Sequence, residues 1–154
     1  MAQVHKYPVS VRWSGGRTGE GFLRAERSGV PVDLGVPDEF GGDGKPGTNP
    51  EELLTSAIAG CYSITFGIVA ENRRLPVVEY TATAEGEVEG SGASFAYKRI
   101  TIRPRIVVAA DADDAAVKTV EDLAHKADAY CIVTNAVRGK VEIVLEPEIV
   151  RAGG

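Results

Sequence analysis

The chain has 154 residues, the length of one ordinary domain, so we predict a single domain over residues 1–154. Hydrophobic residues make up 44% and charged residues 25%, close to the globular average, which excludes global disorder and collagen-like repeats. Lys and Arg number 17 against 22 Asp and Glu, giving a net charge of −5. This acidic balance disfavours phosphate backbones and anionic membranes as partners, and we expect no nucleic acid and no membrane.

The residues that begin the chain indicate its compartment. Residues 1–13 contain no apolar stretch typical of a signal peptide, so we expect a cytoplasmic protein. Residues 53–70 run eighteen positions without a charge, the lower limit for a membrane span. Serine, threonine and glycine interrupt this run, and charged residues bound it closely. We therefore predict a wholly buried helix instead.

Three short strands are predicted in the first third of the chain. Apolar and polar residues alternate over 7–13 and 21–27, and residues 30–36 follow a further turn signal. Glycine-containing turns separate these segments, so we predict a three-stranded N-terminal meander. Residues 37–48 are too rich in Gly and Pro to hold regular structure.

A long helix is predicted over residues 49–72. Asn49 suits the N-cap, Pro50 suits the first helical position, and Glu51 and Glu52 complement the helix dipole. Apolar residues then repeat at helical spacing and place Cys61 on the inward face.

The second half of the chain predicts two strands, a helix and a final strand. The strands cover 77–88 and 95–110, and Pro104 indicates an edge or a bulge. Asp111 caps a second helix, 128–135 is irregular, and 139–150 alternates as the last strand. The order βββ-α-ββ-α-β predicts an α+β fold, in which helices at about 49–72 and 112–127 pack with an antiparallel sheet.

The two cysteines are the candidates for chemistry, although each also has a purely structural explanation. Cys61 and Cys131 are too few for a disulfide scaffold or a zinc ribbon. A free cysteine is among the most buried residue types and often serves only as a small hydrophobe. A reactive thiol needs a nearby cation or helix N-terminus, and Cys61 lies roughly 18 Å along its helix from the start. A cation must therefore come from elsewhere.

Arg17 could supply that cation, and Glu51 could hold it. Arg17 projects from a glycine-rich turn, and its guanidinium suits a bidentate pair with a carboxylate. A solvated turn arginine and a first-turn dipole charge are the alternative interpretations of the two residues. His5 and His125 show no ligand spacing with the cysteines, and no phosphate-binding or dinucleotide motif is present. We predict no metal and no cofactor.

These residues together resemble the organic hydroperoxide resistance and osmotically inducible protein C (Ohr/OsmC) family. The likeness rests on Gly15-Gly16-Arg17, on residues 40–44, on Thr48-Asn49-Pro50-Glu51, and on Cys61 twelve positions after Asn49. Cys131, four residues before Asn135-Ala136-Val137-Arg138-Gly139, resembles the family's second-cysteine segment. The likeness covers nearly the whole chain in the same order.

The resemblance implies a thiol peroxidase that reduces organic hydroperoxides in a stress response. Cys61 would be the peroxidatic cysteine and Cys131 the resolving one, joined during the cycle as a disulfide. Arg17 would stabilise the thiolate and Glu51 would orient Arg17. The family's intertwined homodimer and its dithiol or lipoyl-type reductants are implied as partners. A redox-sensing or small-ligand-binding module with the same fold is the alternative.

Two departures from the family pattern are visible. The family usually has proline directly after the second cysteine, where this chain has Ile132, so we expect a looser loop around Cys131. Residues 36–40 also lack the arginine associated with the osmotically inducible branch. This absence favours the hydroperoxide resistance branch or a third group.

Overall fold

The computed structural model describes residues 1–153 and divides into two units, Met1–Leu53 and Leu54–Gly154. The first unit contains an antiparallel meander of three strands. The strands are β1 (Val9–Ser14), β2 (Glu20–Ala25) and β3 (Pro31–Leu34). Their alternation places Val11, Leu23 and Val32 in register on one face. The predicted meander is confirmed, and a short 3-10 turn over Asp38–Phe40 interrupts the predicted loop.

The apolar face of this meander has no second layer within its own unit. Val11 is 63% exposed, and none of the apolar side chains described between residues 1 and 53 is buried. A sheet with one apolar face normally packs that face against another layer. The meander therefore presents a face suited to a partner layer.

The long helix α1 (Pro50–Asn72) begins where the sequence predicts. The side chain of Asn49 accepts a hydrogen bond from the Glu52 N–H at 2.8 Å, as expected of an N-cap. By length and composition α1 is long and apolar enough to cross a membrane, and 22% of its most apolar stretch of 18 residues is buried within the protein. The prediction of a wholly buried helix is wrong, because only one face packs on the core while Ile64 is 66% exposed.

A mixed sheet forms the centre of the second unit. The long strands β4 (Val77–Ser91) and β5 (Ser94–Val108) pair antiparallel, while β6 (Glu142–Leu145) and β7 (Glu148–Arg151) both pair parallel with β5. The predicted antiparallel sheet is thus correct for the hairpin and wrong for the last segment. The predicted single strand over 139–150 is two strands.

Pro104 lies in the middle of β5, in neither an edge strand nor a bulge, so that prediction is wrong. The carbonyl of Ile102 accepts a hydrogen bond from the Glu146 N–H at 2.9 Å. The backbone N–H and C=O groups of even-numbered residues of β5 therefore point toward β6 and β7. By strand alternation the nitrogen of Pro104 faces the same side. There it meets the gap between the two partner strands, where no hydrogen-bond donor is needed.

Two shorter helices complete the fold. Helix α2 (Asp114–Ala124) is capped by Asp113, whose carboxylate accepts from the Ala116 N–H at 2.7 Å, rather than by the predicted Asp111. A 3-10 turn (Ala127–Tyr130) and helix α3 (Ile132–Val137) occupy most of the segment predicted to be irregular. The α+β class is confirmed, with two sheets and three helices among residues 1–153.

The core of the second unit lies between the buried face of α1, the inward face of β5 and helix α2. Its fully or nearly fully buried apolar members include Ile58, Tyr62, Phe66, Ile100, Ile102, Ile106, Val108, Val120, Leu123 and Ala124. This packing holds the middle of α1 and the segment after α2 in one rigid unit.

Candidate functional site

Cys61 and Cys131 are joined in a disulfide, although 70 positions separate them in the sequence. Cys61 lies in the middle of α1, Cys131 lies between the 3-10 turn and α3, and their Cα atoms are 5.9 Å apart. The two residues are not equally accessible. Cys131 is 0% exposed, whereas Cys61 retains partial exposure.

Cys131 is the N-cap residue of α3. Its backbone is extended, and its Sγ accepts a hydrogen bond from the Thr134 N–H at 3.3 Å. The Asn135 N–H donates to the Cys131 carbonyl at 3.0 Å and closes the first helical turn. The sulfur thus occupies the position that a serine or aspartate oxygen usually takes at a helix start.

Arg138 contacts the chain on both sides of Cys131 in the sequence. Its Nε donates to Asn135 Oδ1 at 2.9 Å, and its Nη2 lies 3.3 Å from Asp128 Oδ2 and 3.2 Å from the Asp128 carbonyl. Asn135 also donates from Nδ2 to the Ala129 carbonyl at 3.2 Å. These contacts brace the segment although Ile132 stands where the family has proline. Sequence reasoning used this arginine only as part of a motif and missed its role.

Two tyrosines fix the orientation of α1 beside Cys61. Tyr62 donates a hydrogen bond from Oη to the Ala124 carbonyl at 2.6 Å, which links α1 to the end of α2. Tyr80 Oη and Ser63 Oγ are 2.8 Å apart, which links α1 to β4. Burial raises the pKa of Tyr62 above its ordinary range, and the nearby Tyr80 and Asp128 add to the shift. Sequence reasoning missed both tyrosines, because only the fold brings their partners together.

The predicted site residue Arg17 lies in the turn between β1 and β2. The Gly19 N–H donates to the Gly16 carbonyl at 2.9 Å and closes this turn. A Cβ added to Gly41, whose φ is +85°, would lie 3.1 Å from Arg17 Cδ. Because Gly41 has no side chain, the aliphatic part of Arg17 can lie against the loop that follows β3.

The predicted site residue Glu51 lies in the first turn of α1. It is half-buried, and its Oε2 atom is shielded from solvent. A carboxylate at this position is stabilised by the N-terminal end of the helix. Arg17 and Glu51 both belong to the first unit and the two cysteines to the second. The roles of Arg17 and Glu51 stay predictions.

The chain is similar to known proteins along nearly its whole length. A family model described as OsmC-like protein matches residues 41–146. The "Uncharacterized protein YmaD" of Bacillus subtilis (strain 168) is 34% identical over 154 residues, covering 100% of this chain and 99% of that protein. An "Organic hydroperoxide resistance protein" of Xanthomonas axonopodis pv. citri (strain 306) is 32% identical over 151 residues, covering 94% of this chain and 98% of that protein.

A solved structure shows the same fold over nearly the same length. The crystal structure of an organic hydroperoxide resistance protein OsmC from Legionella pneumophila superposes with a TM-score of 0.73 at 25% identity. The match covers 94% of this chain and 99% of that one. Sequence and fold lead to one assignment, which confirms the predicted family: the chain belongs to the OsmC-like proteins.

Proposed function

We propose that this protein is a thiol peroxidase for organic hydroperoxides, with Cys61 as the peroxidatic cysteine and Cys131 as the resolving cysteine. The observation that carries the proposal is the disulfide between the partly exposed Cys61 and the buried Cys131. A pair of this kind can cycle between dithiol and disulfide. The name of the Xanthomonas relative, an organic hydroperoxide resistance protein, supports the same reaction.

The chemistry proceeds in three balanced steps. The Cys61 thiolate attacks one peroxide oxygen, the O–O bond breaks, and an alkoxide leaves and takes up a proton to become the alcohol. The resulting Cys61 sulfenic acid condenses with the Cys131 thiol to form the disulfide and water. An external dithiol, for which we propose a dihydrolipoyl group, then exchanges with the disulfide, restores both thiols and becomes a cyclic disulfide.

Arg17 and Glu51 are proposed to activate the Cys61 thiol. A guanidinium near the sulfur would lower the pKa of Cys61 below its ordinary value of about 8.5. Glu51, held at the start of α1, would orient the guanidinium through a bidentate pair. Arg17→Ala should therefore raise the pKa of Cys61, read from the pH dependence of iodoacetamide alkylation in a Cys131→Ser background. Arg12→Ala removes an exposed arginine from β1 and is the matched control.

A cytosolic homodimer is the proposed state of the protein. The outward face of α1, with Ile64 and Ile68 exposed, and the apolar face of the meander would otherwise remain in water. A second copy of the chain would cover such surfaces. A homodimer would also allow two subunits to contribute residues to one site.

The shared site can be tested by mixing two inactive variants, Cys61→Ser and Arg17→Ala. If one subunit supplies Cys61 and the other Arg17, each mixed dimer has one intact site. Random pairing makes half of the dimers mixed, so about a quarter of wild-type activity should return. Mixed dimers identified by mass spectrometry that stay inactive would contradict the shared site.

The peroxidase proposal itself is tested by intact-mass spectrometry after peroxide treatment. Reduced wild type should convert to the internal disulfide, whereas Cys131→Ser should accumulate sulfenic and then sulfinic acid at Cys61. The apolar residues of α1 beside the thiol lead us to expect faster oxidation by cumene hydroperoxide than by hydrogen peroxide. Reduced wild type that stays unmodified by both peroxides would contradict the proposed function.

A further inference from the structure

The hydroxyl group of Thr134 is buried beside the disulfide without a hydrogen-bond partner. Thr134 is 0% exposed, and its Oγ1 atom has no partner among residues 1–153. Buried hydroxyl groups in folded proteins nearly always have a partner, so this exception needs an explanation. The backbone N–H of the same residue already donates to Cys131 Sγ at 3.3 Å.

Reduction of the disulfide would create the acceptor that this hydroxyl lacks. In the disulfide Cys131 Sγ is neutral and a weak acceptor, whereas as a thiolate it is charged and accepts strongly. The hydroxyl oxygen is separated from the donating nitrogen by only two carbon atoms of the same residue. Thr134 therefore has one donor, its N–H, on Cys131 Sγ, and a second donor, its hydroxyl, that rotation about the Cα–Cβ bond can turn toward the charge.

Burial also distinguishes the two sulfurs as targets for an incoming thiol. Thiol–disulfide exchange needs access to the attacked sulfur, and its rate rises when the leaving thiol has a low pKa. Cys131 is fully buried, whereas Cys61 retains partial exposure. Access thus favours attack at Cys61, and the hydrogen bond from Thr134 favours departure of Cys131.

We propose that an external thiol reduces this disulfide by attacking Cys61 and expelling Cys131 as a thiolate, which the positioning residue Thr134 stabilises by donating hydrogen bonds to its sulfur. The attacking thiolate forms a mixed disulfide with Cys61 while the Cys61–Cys131 bond breaks and its electron pair stays on Cys131. The second thiol of a dithiol then displaces Cys61. The proposal rests on the proposed function, because it specifies the reducing half of the same cycle.

The variants that test Thr134 leave the other charged and titratable groups near Cys131 unchanged. Asp128 lies about one turn before Cys131 and pairs with Arg138, and the phenol of Tyr62 is close enough to sense the Asp128 charge. Thr134→Val retains the side-chain shape and removes only the hydroxyl, whereas Thr134→Ser retains the hydroxyl. The two variants leave Asp128, Arg138 and Tyr62 in place.

The attacked sulfur is identified by trapping the mixed disulfide. The protein is oxidised with diamide, treated briefly with 2-mercaptoethanol and quenched with N-ethylmaleimide, and its peptides are then mapped. The expected intermediate carries mercaptoethanol on Cys61 and maleimide on Cys131. Adducts carried mainly by Cys131, or equally by both cysteines, would overturn the proposal. Because diamide forms the disulfide, this result does not depend on peroxidase activity.

The role of Thr134 is tested by the titration of Cys131 in a Cys61→Ser background, followed by the ultraviolet absorbance of the thiolate. Thr134→Val should raise the pKa of Cys131 by about one unit and slow reduction of the otherwise wild-type disulfide several-fold. Thr134→Ser should leave both close to wild type. A pKa of Cys131 that is the same with and without the Thr134→Val substitution would overturn the role of the hydroxyl.

A stability measurement separates this role from a purely structural one. In the oxidised protein, Thr134→Val removes an unpaired hydroxyl and should raise the melting temperature by about 2–4 °C. In the reduced protein above the pKa of Cys131, the same substitution should lower the melting temperature. A shift of the same sign in both redox states would contradict a hydroxyl that serves the thiolate.

Discussion

Reduction of the Cys61–Cys131 disulfide should destabilise the fold strongly, because the bond closes a long loop. The cysteines are 70 positions apart. For a loop of that size the chain-entropy relation gives an entropy difference of about 15 cal/mol/K, so removing the crosslink should cost about 4 kcal/mol at 25 °C. For a chain of this length, that free energy corresponds to a drop in melting temperature of roughly 8–16 °C.

The assay is guanidinium unfolding of the oxidised protein and of the protein fully reduced with a phosphine. Cys61→Ser, which cannot form the bond, is the matched control and should show the same stability with and without the phosphine. A difference of less than about 1 kcal/mol between oxidised and reduced wild type would refute the reasoning. It would mean that the disulfide does not restrict the unfolded chain as the loop length requires.

Three further substitutions test other contacts. Gly86→Ala would place a Cβ against Tyr97 Oη and Thr55 Oγ1, so we expect a loss of about 2–4 kcal/mol in thermal unfolding, partly recovered when Tyr97→Phe is added. Burial raises the pKa of Tyr62 in the folded state. The stability that this tyrosine contributes is therefore complete below the unfolded-state pKa of about 10, and it is lost progressively as the pH rises from there through the raised folded-state pKa. Tyr62→Phe should thus flatten the alkaline loss of stability in melting curves, and an unchanged slope would contradict this. Arg138→Ala should loosen the Cys131 segment and raise the ratio of Cys61 sulfinic acid to disulfide several-fold by mass spectrometry, whereas an unchanged ratio would exclude Arg138 from positioning Cys131.

The parts of the fold that depend on local rules could be predicted from the sequence. Asn49 and Pro50 identify the start of α1, because capping and the missing proline N–H act within one turn. The alternation of residues 7–36 likewise predicts the meander, since strand periodicity and turn glycines are local signals.

The errors in the fold come mainly from pairing with distant strands. Pro147, between β6 and β7, is a local signal for a break that the prediction of one strand overlooked. No local signal shows that both strands pair parallel with β5. Pro104 was expected at an edge or bulge because a proline removes one ladder hydrogen bond. Only the register of β5 shows that this position lies opposite a gap.

The candidate site likewise has one part that the sequence predicts and another that depends on the fold. Cys61 and Cys131 could be nominated from motif spacing, but their contact depends on α2 and on the segment that follows it. The contacts of Arg138 and the unpaired hydroxyl of Thr134 arise from the packing of α3 and have no sequence signal. The exposed face of α1 was missed because apolar composition does not distinguish burial within one chain from burial against a second copy.

Steady-state turnover tests the central claim most directly. The protein is supplied with cumene hydroperoxide and excess dihydrolipoamide, and peroxide consumption is followed for wild type and Cys61→Ser. A thiol peroxidase should consume many equivalents of peroxide per chain, and Cys61→Ser should consume none above the uncatalysed rate. Consumption that stops after one equivalent per chain, with the dithiol still present, would contradict catalysis and favour a redox sensor.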